Sequence, residues 1–179
     1  MAKLLAFAGS NSSKSINHQL VAYLVSQINA VPVELLKLSD LQLLVYSEDE
    51  QIENGFPPSI DLIYKHIKEV DGLLISVNEH NGNPSAFLKN MMDWLSRLDV
   101  KFLTDKKIFL LSASPGQRGG SGSLEVMKVM LTRFGGTIID TYSFPSFYEN
   151  FAVEDKTISN HEMKAIVLDK LQLFVNNFQ

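Results

Sequence analysis

Apolar residues follow two rhythms along this chain. Short unbroken apolar runs alternate with stretches in which apolar residues recur every three or four positions. The first run, Leu4-Leu5-Ala6-Phe7-Ala8, has the length and composition of a buried strand. Behind it Ile16, Leu20, Leu24 and Ile28 repeat at helical spacing, with Val21 and Val25 beside them. Val33-Glu34-Leu35-Leu36-Lys37-Leu38 reads as a second strand. A second helix is predicted over Ser59 to Glu69, with Ile60, Ile63, Tyr64 and Ile67 on one face. Gly72-Leu73-Leu74-Ile75-Ser76-Val77 is apolar enough to be a strand buried on both sides. Pro84, with Asn83 as N-cap, opens a third helix carrying Phe87, Leu88, Met91, Leu95 and Leu98. Lys107 to Ser112 is a fourth strand, Ser121 to Phe134 a fourth helix ended by Gly135-Gly136, and Thr137 to Phe144 a fifth strand. The last helix opens with a capping box, Ser159 and Glu162, and turns Met163, Val167, Leu171, Phe174 and Phe178 inward. Only Leu41 to Pro58 lacks a rhythm. It holds Glu48, Asp49, Glu50 and Glu53 and is predicted to be a long loop, a kind of segment that is often functional.

Strands separated by helices, with no internal repeat and no hairpin signal, predict an α/β fold: a parallel sheet covered on both faces, with right-handed crossovers. In such sheets a ligand sits beyond the carboxyl ends of the strands, at the switch point of strand order. The loops after the first, third and fourth strands should therefore converge.

Composition narrows the classes. A length of 179 residues predicts a single domain, 1–179. The net charge of -4 argues against a nucleic-acid partner. There is no cysteine, so disulfides, thiol redox chemistry and cysteine-ligated clusters are excluded. No apolar run approaches a membrane span, and the N-terminus reads as a first strand rather than a signal peptide. A cytoplasmic location with no membrane partner is the expectation. His18, His66, His80 and His161 are dispersed, so no metal site is expected. No Ser-His-Asp arrangement can be argued, and neither glycine-rich loop runs into Gly-Lys-Ser/Thr.

Chemistry concentrates in the three loops. Gly9-Ser10-Asn11-Ser12-Ser13-Lys14-Ser15-Ile16-Asn17 crowds hydroxyls and amides into a turn that opens a helix, a place suited to a phosphate. Such clusters also occur in ordinary turns and N-caps. Asn78-Glu79-His80-Asn81-Gly82-Asn83-Pro84 is polar and follows the third strand. Ser114-Pro115-Gly116-Gln117-Arg118-Gly119-Gly120 follows the fourth, and its glycines let backbone approach a flat group closely. Asn-Gly and Pro-Gly are also common turn signals.

These segments resemble the NAD(P)H-dependent FMN reductases of the flavodoxin-like fold. Gly9, Ser10, Ser15 and Asn17 match the family's Gly-Ser-x-Arg-x-x-Ser-x-Asn phosphate loop. Asn78-Glu79-His80-Asn81, Pro84 and Phe87-Leu88-Lys89-Asn90-Met91-Met92-Asp93-Trp94 match its second segment, and the Leu-Lys-Asn-x-x-Asp-Trp run is the most specific part. Ser112-Ala113-Ser114-Pro115-Gly116 through Gly119-Gly120 resembles its flavin loop.

The resemblance implies a three-layer flavodoxin-like sandwich with strand order 2-1-3-4-5. It implies FMN as cofactor, with NAD(P)H as co-substrate. Ser10, Ser12, Ser15, Ile16 and Asn17 would surround the phosphate; Asn78, Glu79, His80, Asn81 and Gly82 would lie against the ring; Ser114, Pro115, Gly116 and Gly119 would edge it. No residue is assigned a catalytic role, because the cofactor carries the chemistry. The electron acceptor would be small: a quinone, a flavin, an azo compound or a metal oxyanion. The alternative is a flavin-binding electron carrier or interaction module that does not turn over NAD(P)H.

Two positions depart from the pattern. The family arginine is Ser12, with Lys14 or Arg118 as candidates to compensate, and the family proline and tyrosine are Asn78 and His80. The resemblance also implies a homodimer or homotetramer. Met91, Met92, Leu95, Leu98, Val126, Met127, Val129 and Met130 supply more apolar surface than one buried stripe needs, as an interface would. Trp94 is expected to pack, with a partner for its indole N–H.

Overall fold

In a computed structural model, which describes residues 2–179, the five apolar runs lie side by side as one parallel sheet. In chain order the elements are β1 (Leu4–Ala8), α1 (Ile16–Ser26), β2 (Val33–Leu36), α2 (Glu48–Asn54), α3 (Pro58–Lys68) and β3 (Gly72–Val77). Then come β4 (Glu79–His80), β5 (Asn83–Pro84), α4 (Ala86–Leu98), β6 (Lys107–Ala113), α5 (Ser121–Arg133) and β7 (Thr137–Phe144). The chain closes with α6 (Phe147–Asn150), β8 (Phe151–Ala152), β9 (Thr157–Ile158) and α7 (His161–Val175). The main sheet runs β2-β1-β3-β6-β7. Counting only its own strands, that is the expected 2-1-3-4-5 order of a flavodoxin-like sandwich, with the switch point between β1 and β3.

Alternation along the strands divides the core in two. Leu5 and Phe7 of β1 join Ile60, Ile63, Met91, Trp94 and Met127 on one face of the sheet. Leu4 and Ala6 join Leu20, Leu24, Val167, Leu171 and Phe174 on the other. Every residue of β1 and β3 is buried, as strands covered on both faces must be. Each Leu, Ile or Phe so placed contributes roughly 1.5–3 kcal/mol over leaving it in water.

The structure departs from the sequence reading at several places. The stretch 41–58 is not all loop. It contains α2, capped by Ser47, whose hydroxyl accepts from the Glu50 N–H at 3.0 Å, and stopped by Gly55 at φ 75°. Glu48, Asp49 and Glu50 in its first turn favour the positive helix end, but no residue of the helix is buried, so no apolar rhythm announces it.

A hairpin is present after all. Asn81 (φ 53°) and Gly82 (φ 78°) are both left-handed, the Asn-Gly pairing that a two-residue turn of this kind requires, and they pair β4 with β5. Pro84 consequently ends a strand, and α4 starts two residues later, capped by Ser85, whose hydroxyl accepts from Leu88 N–H at 3.1 Å. The last helix is capped by Asn160 rather than by a Ser159–Glu162 box, because the Asn160 side chain reaches the Met163 N–H at 3.1 Å. The second strand stops at Leu36, where the chain turns into a short 3-10 segment over Leu38–Asp40.

The apolar surplus on α4 and α5 is smaller than expected. Met91, Met92, Leu95 and Met127 are all filled into this chain's own core. Val126 and Val129 remain exposed, at 40% and 71%. Part of the reason is that residues 41–56 fold over α4. Tyr46 and Phe56 pack edge-on to Trp94, and the Trp94 indole N–H donates to the Leu44 carbonyl at 2.9 Å, the expected partner.

Candidate functional site

The carboxyl ends of β1, β3 and β6 open into one cleft of about 240 Å³. The sequence-predicted residues that line it are Ser10, Ser12, Ser15, Ile16, Asn17, Asn78, Glu79, His80, Ser114 and Pro115. Three larger hollows lie elsewhere: one beside α2, one between α1 and the β8–β9 hairpin, and one at the opposite strand ends beside Asp71, Lys107 and Phe178. Only the carboxyl-end cleft gathers several strand-end loops around the open start of a helix, so it is the place where chemistry can be concentrated.

The first loop is curled by its own serines. The Ser12 N–H donates to the Ser10 hydroxyl at 3.2 Å, the Lys14 N–H to the Ser12 hydroxyl at 3.3 Å, and the Ser15 N–H to the Ser12 carbonyl at 3.2 Å. Ser15 then caps α1, its hydroxyl accepting from His18 N–H at 3.2 Å. The Ser10, Ser12 and Ser15 hydroxyls act here as acceptors, which leaves each O–H able to donate. Ile16 and Asn17, in the first turn of α1, have N–H groups with no acceptor inside the helix. Lys14, exposed, adds a positive charge to the cleft wall. Hydroxyls, helix-start N–H groups and an ammonium together make an anion site.

Asn17 does a different job from the one expected of its side chain. Its Oδ1 accepts from the Ser76 hydroxyl at 2.7 Å and from Ala113 N–H at 2.9 Å, and its amide donates to the Ala113 carbonyl at 3.1 Å. The side chain is thus a buried clamp tying α1 to β3 and β6. Its backbone N–H is what remains for a ligand.

The second loop is locked to the first. The Ser85 hydroxyl donates to the Gly9 carbonyl at 2.9 Å, and Ser85 N–H to the Asn78 carbonyl at 3.1 Å. A Cβ on Gly9 would lie 2.4 Å from the buried Leu88 side chain, which would have to shift to admit it. Asn78 is 7% exposed; its amide nitrogen lies 3.4 Å from His80 Nε2, while its Oδ1 is buried with no hydrogen-bond partner. Glu79 points a carboxylate oxygen at the start of α5, 3.4 Å from the Ser123 N–H, which offsets its charge. Asn81 and Gly82 form the exposed hairpin turn and do not line the cleft.

In the third loop Ser114 and Pro115 line the cleft, and Gly116 and Gly119 do not. The Gly116 carbonyl accepts from Ser146 N–H at 3.0 Å. Gly119, at φ 59°, lies so close to β7 that a Cβ would come within 2.8 Å of the Phe144 backbone. These glycines shape the loop. Arg118 is exposed and lines no part of the cleft.

Three lining residues lie outside the predicted set: Lys14, Ala113 and Tyr148. Ala113 is simply the last residue of β6. Tyr148 is 66% exposed and sits on α6, just past the carboxyl end of β7. The signal that could have found it is that β7 ends on the same edge of the sheet as its neighbours.

Residues 2–149 match the family described as NADPH-dependent FMN reductase. A quinone reductase of Escherichia coli is 35% identical over 95 residues, 53% of this chain and 47% of that protein. An NAD(P)H-dependent FMN reductase of Pseudomonas aeruginosa is 35% identical over 121 residues, 65% of this chain and 62% of its own. The chain spans about half the length of the quinone reductases it matches. Among solved structures, the flavoenzyme NAD(P)H:(acceptor) oxidoreductase FerB of Paracoccus denitrificans superposes with a TM-score of 0.79. That superposition covers 98% of this chain and 96% of FerB at 22% identity, a likeness of fold.

Proposed function

Since the chain belongs to the NADPH-dependent FMN reductase family, we propose that it is an oxidoreductase that uses FMN to pass electrons from NAD(P)H to a small acceptor. The observation that carries this reading is the coincidence of two maps. Every residue lining the cleft, from Ser10 to Tyr148, falls within the span that matches the family.

The cleft fits the cofactor on its own terms. FMN joins a dianionic phosphate to a polyol chain and a ring that carries both donors and acceptors. Ser10, Ser12, Lys14 and the start of α1 offer donors and positive charge for the phosphate. Ser12 lacks the charge of the family arginine, and Lys14, one turn of loop away, lines the same wall and supplies it. Asn78 Oδ1 is a buried acceptor that lacks a donor, and the hydroxyls of a polyol or a ring N–H would provide one. Ser114, Pro115 and Tyr148 would then border the ring from the opposite wall.

FMN, when bound, supplies the redox chemistry, taking hydride from a reduced nicotinamide and releasing the electrons to an acceptor. The chain's own residues have to hold, orient and screen. The Asn17 clamp fixes the first-turn N–H groups of α1 against β3 and β6. The β4–β5 hairpin, held on α5 through Glu79, keeps His80 at the cleft wall. Tyr148, largely exposed, can cover a stacked nicotinamide or acceptor. Because donor and acceptor use one cleft in turn, ping-pong kinetics follow.

A quinone is the acceptor class favoured here, on the names of the curated relatives; flavins, azo compounds and metal oxyanions are the further classes to assay. The assembly proposed is a dimer or tetramer. The test is a titration followed by turnover. FMN at a hundredfold excess over its dissociation constant should raise stability by about 2.7 kcal/mol, and the loaded protein should oxidise NADH or NADPH with a quinone, giving parallel double-reciprocal lines. No change in melting temperature or flavin fluorescence on adding FMN would contradict the cofactor assignment. Binding without nucleotide oxidation would make the protein a flavin carrier.

A further inference from the structure

The hollow between α1 and the β8–β9 hairpin, about 490 Å³, takes no part in the cleft. One wall is helical, with His18, Ala22 and Tyr23; the other is the hairpin, with Phe151, Val153 and Lys156. Three features say what it would hold.

The first is shape and polarity. Ala22, Phe151 and Val153 give the groove apolar sides suited to a flat or branched hydrocarbon. The second is an unmet donor. Tyr23 is 6% exposed, and its hydroxyl is closed off from solvent with no hydrogen-bond partner. Among the described residues the only other buried side-chain atom in that state is Asn78 Oδ1, which belongs to the cleft. A phenol O–H left unpaired in a folded chain costs free energy that an incoming oxygen would return.

The third feature is charge. Lys156 lines the groove, and the Lys164 ammonium sits 5.7 Å from the centre of the Tyr23 ring. No Asp or Glu among the described residues lines it; Glu154 and Asp155 belong to the same turn but stand outside. Burial first, and the nearby Lys37 charge second, push the His18 pKa down against a smaller upward pull from Asp40. The result is a basic spot on a chain of net charge -4.

We propose that this groove binds a small aromatic carboxylate, with the ring against Phe151, Val153 and Ala22, Lys156 as its charge partner and the Tyr23 hydroxyl as its hydrogen-bond donor. A neutral aromatic would leave Lys156 unused, and a cationic one would be repelled. Reaching the hydroxyl requires Tyr23 and Phe151, packed edge-on at 6.2 Å, to part. β8 and β9 pair over only two residues each, but Phe151 also stacks on Phe147 at 4.7 Å, so the ligand has to offset the cost of that movement.

The test uses phenylacetate and its neutral amide, phenylacetamide, measured by equilibrium dialysis against the full chain with and without FMN. Phenylacetate should bind one per chain, and the amide about tenfold more weakly. Lys156→Glu should cost phenylacetate about tenfold and the amide little. Tyr23→Phe should weaken phenylacetate severalfold while leaving the melting temperature unchanged or higher, because the oxygen it removes has no partner. Equal binding of acid and amide, indifference to both substitutions, or no saturable binding would overturn the proposal. Displacement of phenylacetate by FMN would place it in the cleft and overturn it too. None of these outcomes depends on whether the protein oxidises a nicotinamide.

Discussion

At Ser15 and Asn78 the site turns on single polar atoms. Ser15 caps α1 with the same hydroxyl that stands beside the anion site, so Ser15→Asp retains a good cap while placing a carboxylate against any phosphate. FMN affinity should fall by about a hundredfold or more, as expected for loss of charge-assisted contacts plus repulsion, and riboflavin affinity should fall much less; fluorescence titration of both flavins measures the difference. Asn78 poses the reverse case. Its Oδ1 is buried and unpaired, so Asn78→Leu should leave the flavin-free protein as stable or more stable by up to about 1 kcal/mol. The same change should weaken FMN about tenfold, the usual worth of one buried hydrogen bond. Equal loss of stability and of affinity would mean that Asn78 only supports the loop.

Much of what the elements show could be read in the sequence, for identifiable reasons. The buried strands β1, β3 and β6 declare themselves because both their faces must be apolar. α2 does not, since it buries nothing and rests on a serine cap and acidic residues instead of a stripe. The β4–β5 hairpin does not either: Asn81-Gly82 alone is a common turn pair, and its strands are two residues long with no alternation to mark them. The cleft was legible as polar loops at strand ends. The inward role of Asn17 was not, because a clamp and a ligand donor are the same residue type in the same turn.

Joints between elements also carry the pH response. Lys68 at the end of α3 meets Asp99 at the end of α4, at 2.9 Å. The hydrogen bond to Asp99 holds the Lys68 pKa up, and the same bond, with the Lys101 N–H, holds Asp99 down. A raised lysine stabilises the fold below its unfolded pKa and loses this as pH rises through the folded value. A lowered aspartate stabilises above its unfolded pKa and loses this as pH falls through the folded value. The pair therefore acts across the neutral range and fades at both ends. Both side chains are partly exposed, so Asp99→Asn should cost less than about 1 kcal/mol near neutrality. In urea melts that difference should shrink in strong acid, where wild-type Asp99 is itself protonated.

Taken whole, the molecule keeps apolar residues on its surface in several places, Leu62, Val100 and Leu173 among them. Leu44, Val45 and Ile52 are 60%, 82% and 76% exposed on the segment that follows β2, and Val126 and Val129 are exposed on α5. The proposed dimer or tetramer would cover such residues. Sedimentation at micromolar concentration should return a mass of at least two chains, and a mass of one chain would contradict the assembly.

The central claim is that the cleft holds FMN in a form that a reduced nicotinamide can reach. Anaerobic mixing of the FMN-loaded protein with NADH and, separately, with NADPH tests it most directly, with the oxidised flavin band as the signal. Bleaching within seconds by at least one of them is expected, with modest discrimination between the two because Ser12 stands where the family has an arginine. If neither nucleotide bleaches the band while dithionite does, the protein binds flavin without accepting hydride, and the reductase assignment is wrong.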